Sequence, residues 1–216
     1  ARLVDLGDGI LCCELDNKMV PSMNPIDDFV VSALNQVFEL VNEGFRGVVI
    51  GNQGPNFCAG AQLQMLLELS RRKMWKEIEQ VSGALQMVMT FLKHAAFPVV
   101  TAPHGMTLGG GLEITLGGHR VVAHAETYAG LVEVGVGLIP GGAGNLLLLR
   151  QIQKSMAKRS PGPMPAVVKA FELIAMAQVS KSAEHARDLG LLERDLVVVV
   201  DKELQLTRAK AECLKL

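Results

Sequence analysis

The sequence contains 216 residues, of which 49% are hydrophobic, and its 21 basic and 22 acidic residues give a net charge of −1. This length is sufficient for one well-buried domain, or for one domain with a small appendage. A charge near zero, without a basic stripe interleaved with aromatic residues, argues against a nucleic-acid partner. No apolar run approaches the roughly 20 residues needed to span a bilayer, and no signal peptide is visible, so we expect neither membrane insertion nor secretion.

The N-terminal part of the chain predicts a hairpin followed by a helix. Residues 1–6 and 10–15 have strand-forming patterns, and Gly7-Asp8-Gly9 between them favours a hairpin turn. Asn24 is the predicted N-cap of the next helix. Apolar residues then recur at helical spacing, so we expect this helix to continue to Glu43.

Strands and helices alternate through the middle of the chain. The predicted strands are 47–50, 98–102 and 120–123, and the predicted helices between them are 61–69 and 76–92. Such alternation predicts an α/β fold.

The regular pattern is interrupted near residues 154–165, where basic residues stand beside Pro161, Pro163 and Pro165. We predict a boundary there, between a core of residues 1–160 and a helical extension of residues 161–216. Within the extension, the predicted elements are helices at 166–177, 181–189 and 202–214 and a strand at 196–200.

Cysteine and histidine are placed in a way that disfavours metal binding. The four cysteines have no paired metal-ligand spacing, and the adjacent Cys12 and Cys13 would point to opposite faces of a strand. His104, His119 and His124 are scattered, without a His-x-x-x-His pair or an acid triad. We expect no metal site, and a reducing, cytoplasmic compartment.

Three consecutive glycines, Gly109 to Gly111, open an apolar segment with helical character, and Glu113 follows them. Glycines allow another molecule to approach the main chain, and a helix N-terminus offers free N–H groups with partial positive charge. The pattern therefore predicts half of an oxyanion hole. Tight helix packing is the alternative explanation for the glycines, and stabilisation by the helix dipole is the alternative for Glu113.

A second isolated acid, Glu133, lies in a segment that is otherwise apolar and punctuated by glycine. Two acids in different environments can divide proton transfer, one delivering a proton and the other polarising water. The alternative for Glu133 is a carboxylate at a strand edge that pairs with a basic residue. The residues themselves leave open which glutamate is acid and which is base.

A third segment lies upstream, where residues 47–51 lead through a turn into Phe57-Cys58-Ala59-Gly60-Ala61-Gln62-Leu63. It resembles the first oxyanion-hole segment of the crotonase superfamily, whose common pattern is Phe-(Ser/Cys/Ala)-Ala-Gly-Ala-Asp-(Leu/Ile). Residues 108–113 resemble the second segment of that superfamily. Glu133, with residues 137–142, resembles the third. The three motifs follow one another in the family's order and spacing.

The resemblance implies a ClpP/crotonase-type spiral of strand-strand-helix units with a helical C-terminal extension. It also implies an enoyl-CoA hydratase, which adds water to a trans-2-enoyl-CoA to give a 3-hydroxyacyl-CoA in fatty-acid beta-oxidation. Enoyl-CoA hydratases carry glutamates at the positions matched by Glu113 and Glu133, whereas related isomerases often keep only one. The alternatives are an enoyl-CoA isomerase of the same superfamily and a non-catalytic, CoA-binding scaffold module of a dehydrogenase.

The resemblance also assigns roles to residues. It gives the oxyanion-hole amides to Ala61 and Gly110, the activation of water to Glu113 and the proton at Cα to Glu133. The substrate-binding residues that it implies are Ala59, Gly60, Ala61, Leu63, Gly109, Gly110 and Gly141. No cofactor is expected beyond coenzyme A as part of the substrate.

Other features receive structural interpretations. Cys58 has no histidine placed to activate it, so we interpret it as a packing residue. Gly135-Val136-Gly137 is similar to the start of a dinucleotide loop, but Pro140 occupies the third glycine position, so NAD binding is not expected.

Residues 51–54 and 126–140 look most like the hydratase module of fused 3-hydroxyacyl-CoA dehydrogenases. The implied partners are an acyl-CoA thioester, further copies of the chain in a trimer or dimer of trimers, and a fused dehydrogenase domain. Family members usually continue for several helices beyond the position matched by Leu216, so we expect this chain to be a truncated piece. Departures from the family pattern, such as Gln62, Val132 and Asn145, fall outside the positions to which the resemblance assigns chemistry.

Overall fold

A computed structural model describes residues 1–156 and 162–216. Its strands are β1 Arg2–Asp5, β2 Ile10–Glu14, β3 Gly47–Gly51, β4 Val99–Thr101, β5 Gly105–Leu108, β6 Arg120–His124, β7 Thr127–Gly130 and β8 Val197–Val199. Its α-helices are α1 Asp28–Asn42, α2 Leu63–Arg71, α3 Trp75–His94, α4 Gly110–Gly117, α5 Gly144–Met156, α6 Met164–Ala175, α7 Ala183–Leu189 and α8 Gln205–Cys213. Two 3₁₀ turns span Glu133–Val136 and Lys202–Leu204.

Six strands form one large sheet in the order β1-β2-β3-β4-β6-β8. The first pair, β1 and β2, is antiparallel, which confirms the predicted N-terminal hairpin, and the other pairings are parallel. β5 and β7 form a separate parallel pair. Single parallel bridges, Cys58 with Thr107 and Ile26 with Ala61, extend this second layer.

The chain therefore winds as a spiral. From β3 onward, each turn places a strand in the large sheet, then an extended segment in the small layer, then a helix: β3, Cys58 and α2; β4, β5 and α4; β6, β7 and α5. Parallel strands need such crossover connections. The small layer thereby brings together segments that are roughly 20 to 70 residues apart in sequence, and the candidate site forms along it.

Both faces of the large sheet are covered. One face packs against α1, α3 and α4 in a cluster that includes Cys13, Val48 and Ile50. On the other face, Cys12 and Val49 join a smaller cluster with residues of α8. Cys12 and Cys13 thus lie on opposite faces, which confirms the prediction from their adjacency.

The start of α1 differs from the prediction. Asp27 caps this helix, because its Oδ1 accepts the Val30 amide at 2.9 Å. Asn24 is buried with a left-handed φ of +48°, and its Nδ2 donates to the carbonyls of Leu15 and Phe57, each at 2.8 Å. The predicted cap at Asn24 is therefore wrong, because that side chain bonds to neighbouring segments instead.

The predicted boundary at residue 160 lies outside the described residues. Beyond it, β8 pairs with β6, so residues of the predicted extension contribute a strand to the large sheet. The division into 1–160 and 161–216 stays a prediction. Among the helices that the structure describes, none combines the length and the apolar character that crossing a membrane requires.

Candidate active site

The triple glycine begins α4 and brings its N-terminus to the small layer. Gly109 is the N-cap with φ +53°, a conformation that favours glycine, and its amide donates to Gly130 O of β7 at 2.8 Å. Every residue of α4 is buried, including Glu113 in its first turn. The helix therefore points free N–H groups and one carboxylate into the interior of the protein.

The upstream segment meets this helix through close backbone contacts. Gly60 has φ +99°, and a methyl group built on it would lie 3.2 Å from Leu108 O and 3.6 Å from Gly110 N. A methyl group on Gly110 would lie 2.7 Å from Ile26 Cδ1 and 3.8 Å from Ala61 N. Residues 60–61 and 109–110 are thus in direct contact, and side chains at Gly60 and Gly110 would separate them.

Two backbone amides at this contact are free. Within residues 1–156 and 162–216, neither Ala61 N nor Gly110 N donates a hydrogen bond to a protein acceptor. Their neighbours are used: Ala59 N donates to Met23 O, and Gly109 N donates to Gly130 O. Gly110 is buried and Ala61 is half-buried. N–H groups away from water are seldom left unpaired, so these two amides offer a place for an oxygen atom.

Glu113 is 1% exposed, and its Oε1 accepts the amides of Gly142 at 2.8 Å and Gly144 at 2.7 Å. Burial raises the pKa of Glu113, and the two amides partly oppose this effect because they stabilise the ionised form. Glu113 is therefore a buried carboxylate that keeps hydrogen-bond donors for its charged state.

Glu133 opens a 3₁₀ turn and faces the N-terminus of α4, because a methyl group on Gly109 would lie 3.1 Å from Glu133 Oε1. Its Oε2 is buried and has no hydrogen-bond partner in the described residues. Burial raises the pKa of Glu133 to about 7, and the nearby Glu113 carboxylate adds to the rise. At neutral pH a substantial fraction of Glu133 is therefore protonated.

A comparison with known protein families covers most of the chain. The model of a family described as enoyl-CoA hydratase/isomerase matches residues 6–161. The chain belongs to the enoyl-CoA hydratase/isomerase family.

Individual relatives carry related names. A probable 3-hydroxyacyl-CoA dehydrogenase of Bacillus subtilis is 41% identical over 97% of this chain and 26% of its own length. A probable enoyl-CoA hydratase of the same organism is 28% identical over 89% of this chain and 70% of its own length. The chain thus spans about a quarter of the first relative.

A solved structure supports the predicted crotonase fold. The crystal structure of an enoyl-CoA hydratase from Bacillus anthracis superposes with a TM-score of 0.80 at 24% identity, covering 99% of this chain and 75% of that one. The predicted α/β spiral is confirmed at the level of the fold.

In this family member, the sequence-predicted site residues do not all come together. Gly60, Ala61, Gly109, Gly110 and Glu133 form one group through the contacts above, and Glu113 follows Gly110 by three residues in α4. Gly141 lies beside the Glu113 donors, but its carbonyl is bound by Gln86 Nε2 at 2.8 Å. Ala59 uses its amide within the small layer, and Leu63 is 45% exposed at the start of α2. Roles for Ala59 and Leu63 stay predictions.

Sequence reasoning missed three residues that support Glu113, two of them in direct contact with it. Gly142 and Gly144 supply its amide donors, and a methyl group on either would lie within 2.7 Å of a Glu113 carboxylate oxygen. Gly142 belongs to the segment 137–142 that the resemblance covers, and Gly144 follows it closely, so their lack of a side chain could have been noted. Gln86 lies in the middle of α3, and nothing in the local sequence distinguishes it.

The cysteine and histidine that could have served as a nucleophile or a metal ligand are buried in the protein interior. Cys58 is 1% exposed, and burial raises the pKa of its thiol to about 12. His104 is buried, with Nε2 2.9 Å from Gly54 O, and burial lowers its pKa to about 4. In the part of the chain that the structure describes, His, Cys, Asp and Glu do not form a group of three that could hold a metal ion.

A cavity of about 470 Å³ lies elsewhere in the molecule. Its lining residues come from α5, α6, α7 and the segment that follows α7, and include Ile152, Leu189 and Leu192. None of the predicted site residues is among the residues that line it. The cavity therefore has no part in the arrangement of the two glutamates.

Proposed function

We propose that this chain is an enoyl-CoA hydratase, which adds water to a trans-2-enoyl-CoA. The observation that carries the proposal is the combination of two free amides, Ala61 N and Gly110 N, with two carboxyl groups, Glu113 and Glu133, at the N-terminus of one buried helix. Membership of the hydratase/isomerase family supports it.

In this proposal each group has a different task. The thioester oxygen of the substrate accepts hydrogen bonds from Ala61 N and Gly110 N, which stabilise its negative charge as water adds to Cβ. Glu113 takes a proton from that water, because the amides of Gly142 and Gly144 favour its ionised form. Glu133 supplies the proton to Cα, because its raised pKa keeps it partly protonated near neutrality. The product is a 3-hydroxyacyl-CoA.

Substitution of each acid tests the proposal. We expect Glu113→Gln and Glu133→Gln each to lower kcat by at least about 100-fold, within the range of general acid–base catalysis, and to leave the affinity for acyl-CoA nearly unchanged. The measurement is the loss of the conjugated enoyl-thioester absorbance. Cys58→Ala is the control and should retain activity, as should protein treated with a chelator.

The same assay separates the alternatives. If 3-enoyl-CoA is converted and 2-enoyl-CoA is not hydrated, the chain is an isomerase. If neither thioester reacts although acyl-CoA binds, the chain is a non-catalytic module. Near-normal turnover of either glutamine variant would make that glutamate structural.

We further propose that the whole protein couples hydration to oxidation. The 3-hydroxyacyl-CoA that leaves this site is the substrate named for the Bacillus subtilis relative, a probable 3-hydroxyacyl-CoA dehydrogenase, of which this chain spans about a quarter. A dehydrogenase domain covalently joined to this one would receive the product directly. No cofactor is required by the hydration itself, and coenzyme A enters as part of the substrate.

A further inference from the structure

The loop that supplies the Glu113 donors has an unusual conformation. It runs from Pro140 to Gly144, the first residue of α5, and its Gly142 and Gly144 amides converge on the single oxygen Glu113 Oε1. Between them, Ala143 has a φ of +82°, which is unfavourable for a residue with a side chain. Such a conformation persists when the surrounding contacts determine it.

Two side chains fasten this loop from different helices. Gln86 of α3 donates from Nε2 to Gly141 O at 2.8 Å, and Asn145 of α5 donates from Nδ2 to Pro140 O at 3.0 Å. The two carbonyls are adjacent and directly precede the Gly142 amide. Leu85, next to Gln86, packs so closely that a methyl group on Gly142 would lie 2.8 Å from its side chain.

We propose that Gln86 and Asn145 are positioning residues that hold the Pro140–Gly144 backbone so that its two amides orient the Glu113 carboxylate. The role in turnover rests on the proposed hydratase function. Because Glu113 Oε1 is occupied by the amides, Glu113 Oε2 is the oxygen left to meet water, and its direction depends on this loop. Asn145, one of the departures from the family pattern, thereby lies within the machinery that supports Glu113.

Both side chains are exposed, so their replacement removes a hydrogen bond without opening the core. We expect Gln86→Ala and Asn145→Ala each to lower kcat about tenfold or more with KM nearly unchanged, because a small misplacement of a catalytic group is costly. Gln86→Glu has nearly the same shape but no hydrogen-bond donor, so it should lower kcat as much as Gln86→Ala does. Gln80→Ala, an exposed glutamine on the same helix, is the matched control and should behave as the unmodified protein. Unchanged kcat in both alanine variants would overturn the proposal.

Amide hydrogen exchange tests the same contacts without using activity. In ¹⁵N-labelled Gln86→Ala and Asn145→Ala, the amides of Gly142 and Gly144 should exchange about tenfold faster than in the unmodified protein. The exchange rates of the β3 amides should stay the same. Unchanged exchange at both glycines would overturn the positioning role. If the unmodified protein hydrates no enoyl-CoA, the proposed function fails, and faster exchange would still support the positioning of the loop.

Discussion

At the scale of single residues, Glu133 determines the pH dependence that we expect. Its pKa is raised to about 7, so it loses its proton as the pH rises through neutrality. Glu113 must be ionised to accept a proton, and burial raises its pKa above the ordinary value of 4.5. We therefore predict a bell-shaped dependence of kcat/KM on pH, with an alkaline limb near pH 7. A profile that stays flat to pH 9 would contradict the assignment of Glu133 as the acid.

The same group should make the fold less stable as the pH rises. The folded protein holds the Glu133 proton up to about pH 7, whereas the unfolded chain releases it near 4.5, so stability falls between these values. At pH 8, Glu133→Gln should therefore have a free energy of unfolding higher than that of the unmodified protein by about 1 kcal/mol, after allowance for partial solvent exposure. Chemical denaturation measures this difference. Below pH 4.5 the two proteins should be similar. Equal stability of the two proteins at pH 8 would show that burying the ionised Glu133 side chain does not destabilise the fold.

The sequence was sufficient to single out both glutamates as candidates but not to predict their surroundings. Glu113 and Glu133 stand out because each is a lone acid in an apolar, glycine-punctuated segment. Gln86 could not be found in this way, since its role comes from the packing of α3 against a loop about 55 residues later. Asn24 illustrates the same limit: its local context fits a helix cap, but two distant carbonyls bind its side chain.

At the scale of elements, α4 packs closely because it begins with glycine. A methyl group on Gly111 would lie 2.2 Å from Cys58 O, a backbone atom of the neighbouring layer. Gly111→Ala should therefore destabilise the protein by about 2 kcal/mol or more, although alanine normally favours a helix. In α3, a methyl group on Gly83 meets nothing within 4 Å, so Gly83→Ala should be neutral or stabilising by up to about 1 kcal/mol.

Chemical denaturation of these two variants measures the difference directly. If both substitutions change stability by the same amount, then α4 does not pack as tightly as the contact with Cys58 indicates. The tight-packing explanation and the oxyanion-hole explanation of the glycines are thus compatible, because Gly111 serves packing and Gly110 presents its amide.

Some elements were not visible in the sequence. β5 and β7 have four residues each, and neither shows the alternation of a longer strand. Their pairing with each other depends on the spiral, since the segments between them belong to α4 and β6. The longer elements, such as α1 and α3, were predicted because their apolar spacing continues over several turns.

At the scale of the whole molecule, α6 exposes an apolar stripe of Met164, Val168 and Phe171, which are 62%, 47% and 69% exposed and follow one another at helical spacing. Large exposed apolar side chains in one patch favour association. We predict that the protein self-associates at micromolar concentration, as the expected trimer or a multiple of it. Sedimentation across a concentration series is the measurement.

Phe171→Lys tests whether the stripe is responsible, because a charge at its most exposed residue should weaken association without disturbing the buried face of α6. Thr90→Lys, at an exposed position on α3, serves as the control. A monodisperse monomer over the whole concentration range would contradict the prediction.

The far face of the large sheet has a consequence for how the protein is made. The cluster of Cys12 and Val49 on that face is completed by Ala209 and Cys213 of α8, and Lys210 Nζ reaches Leu6 O across 204 residues of sequence. A ribosome releases the N-terminal strands first, so this face of the sheet stays uncovered until almost all of the described chain has been synthesised. Nascent chains of this protein therefore expose an apolar sheet face that is prone to aggregation. We expect these chains to bind chaperones until α8 emerges from the ribosome.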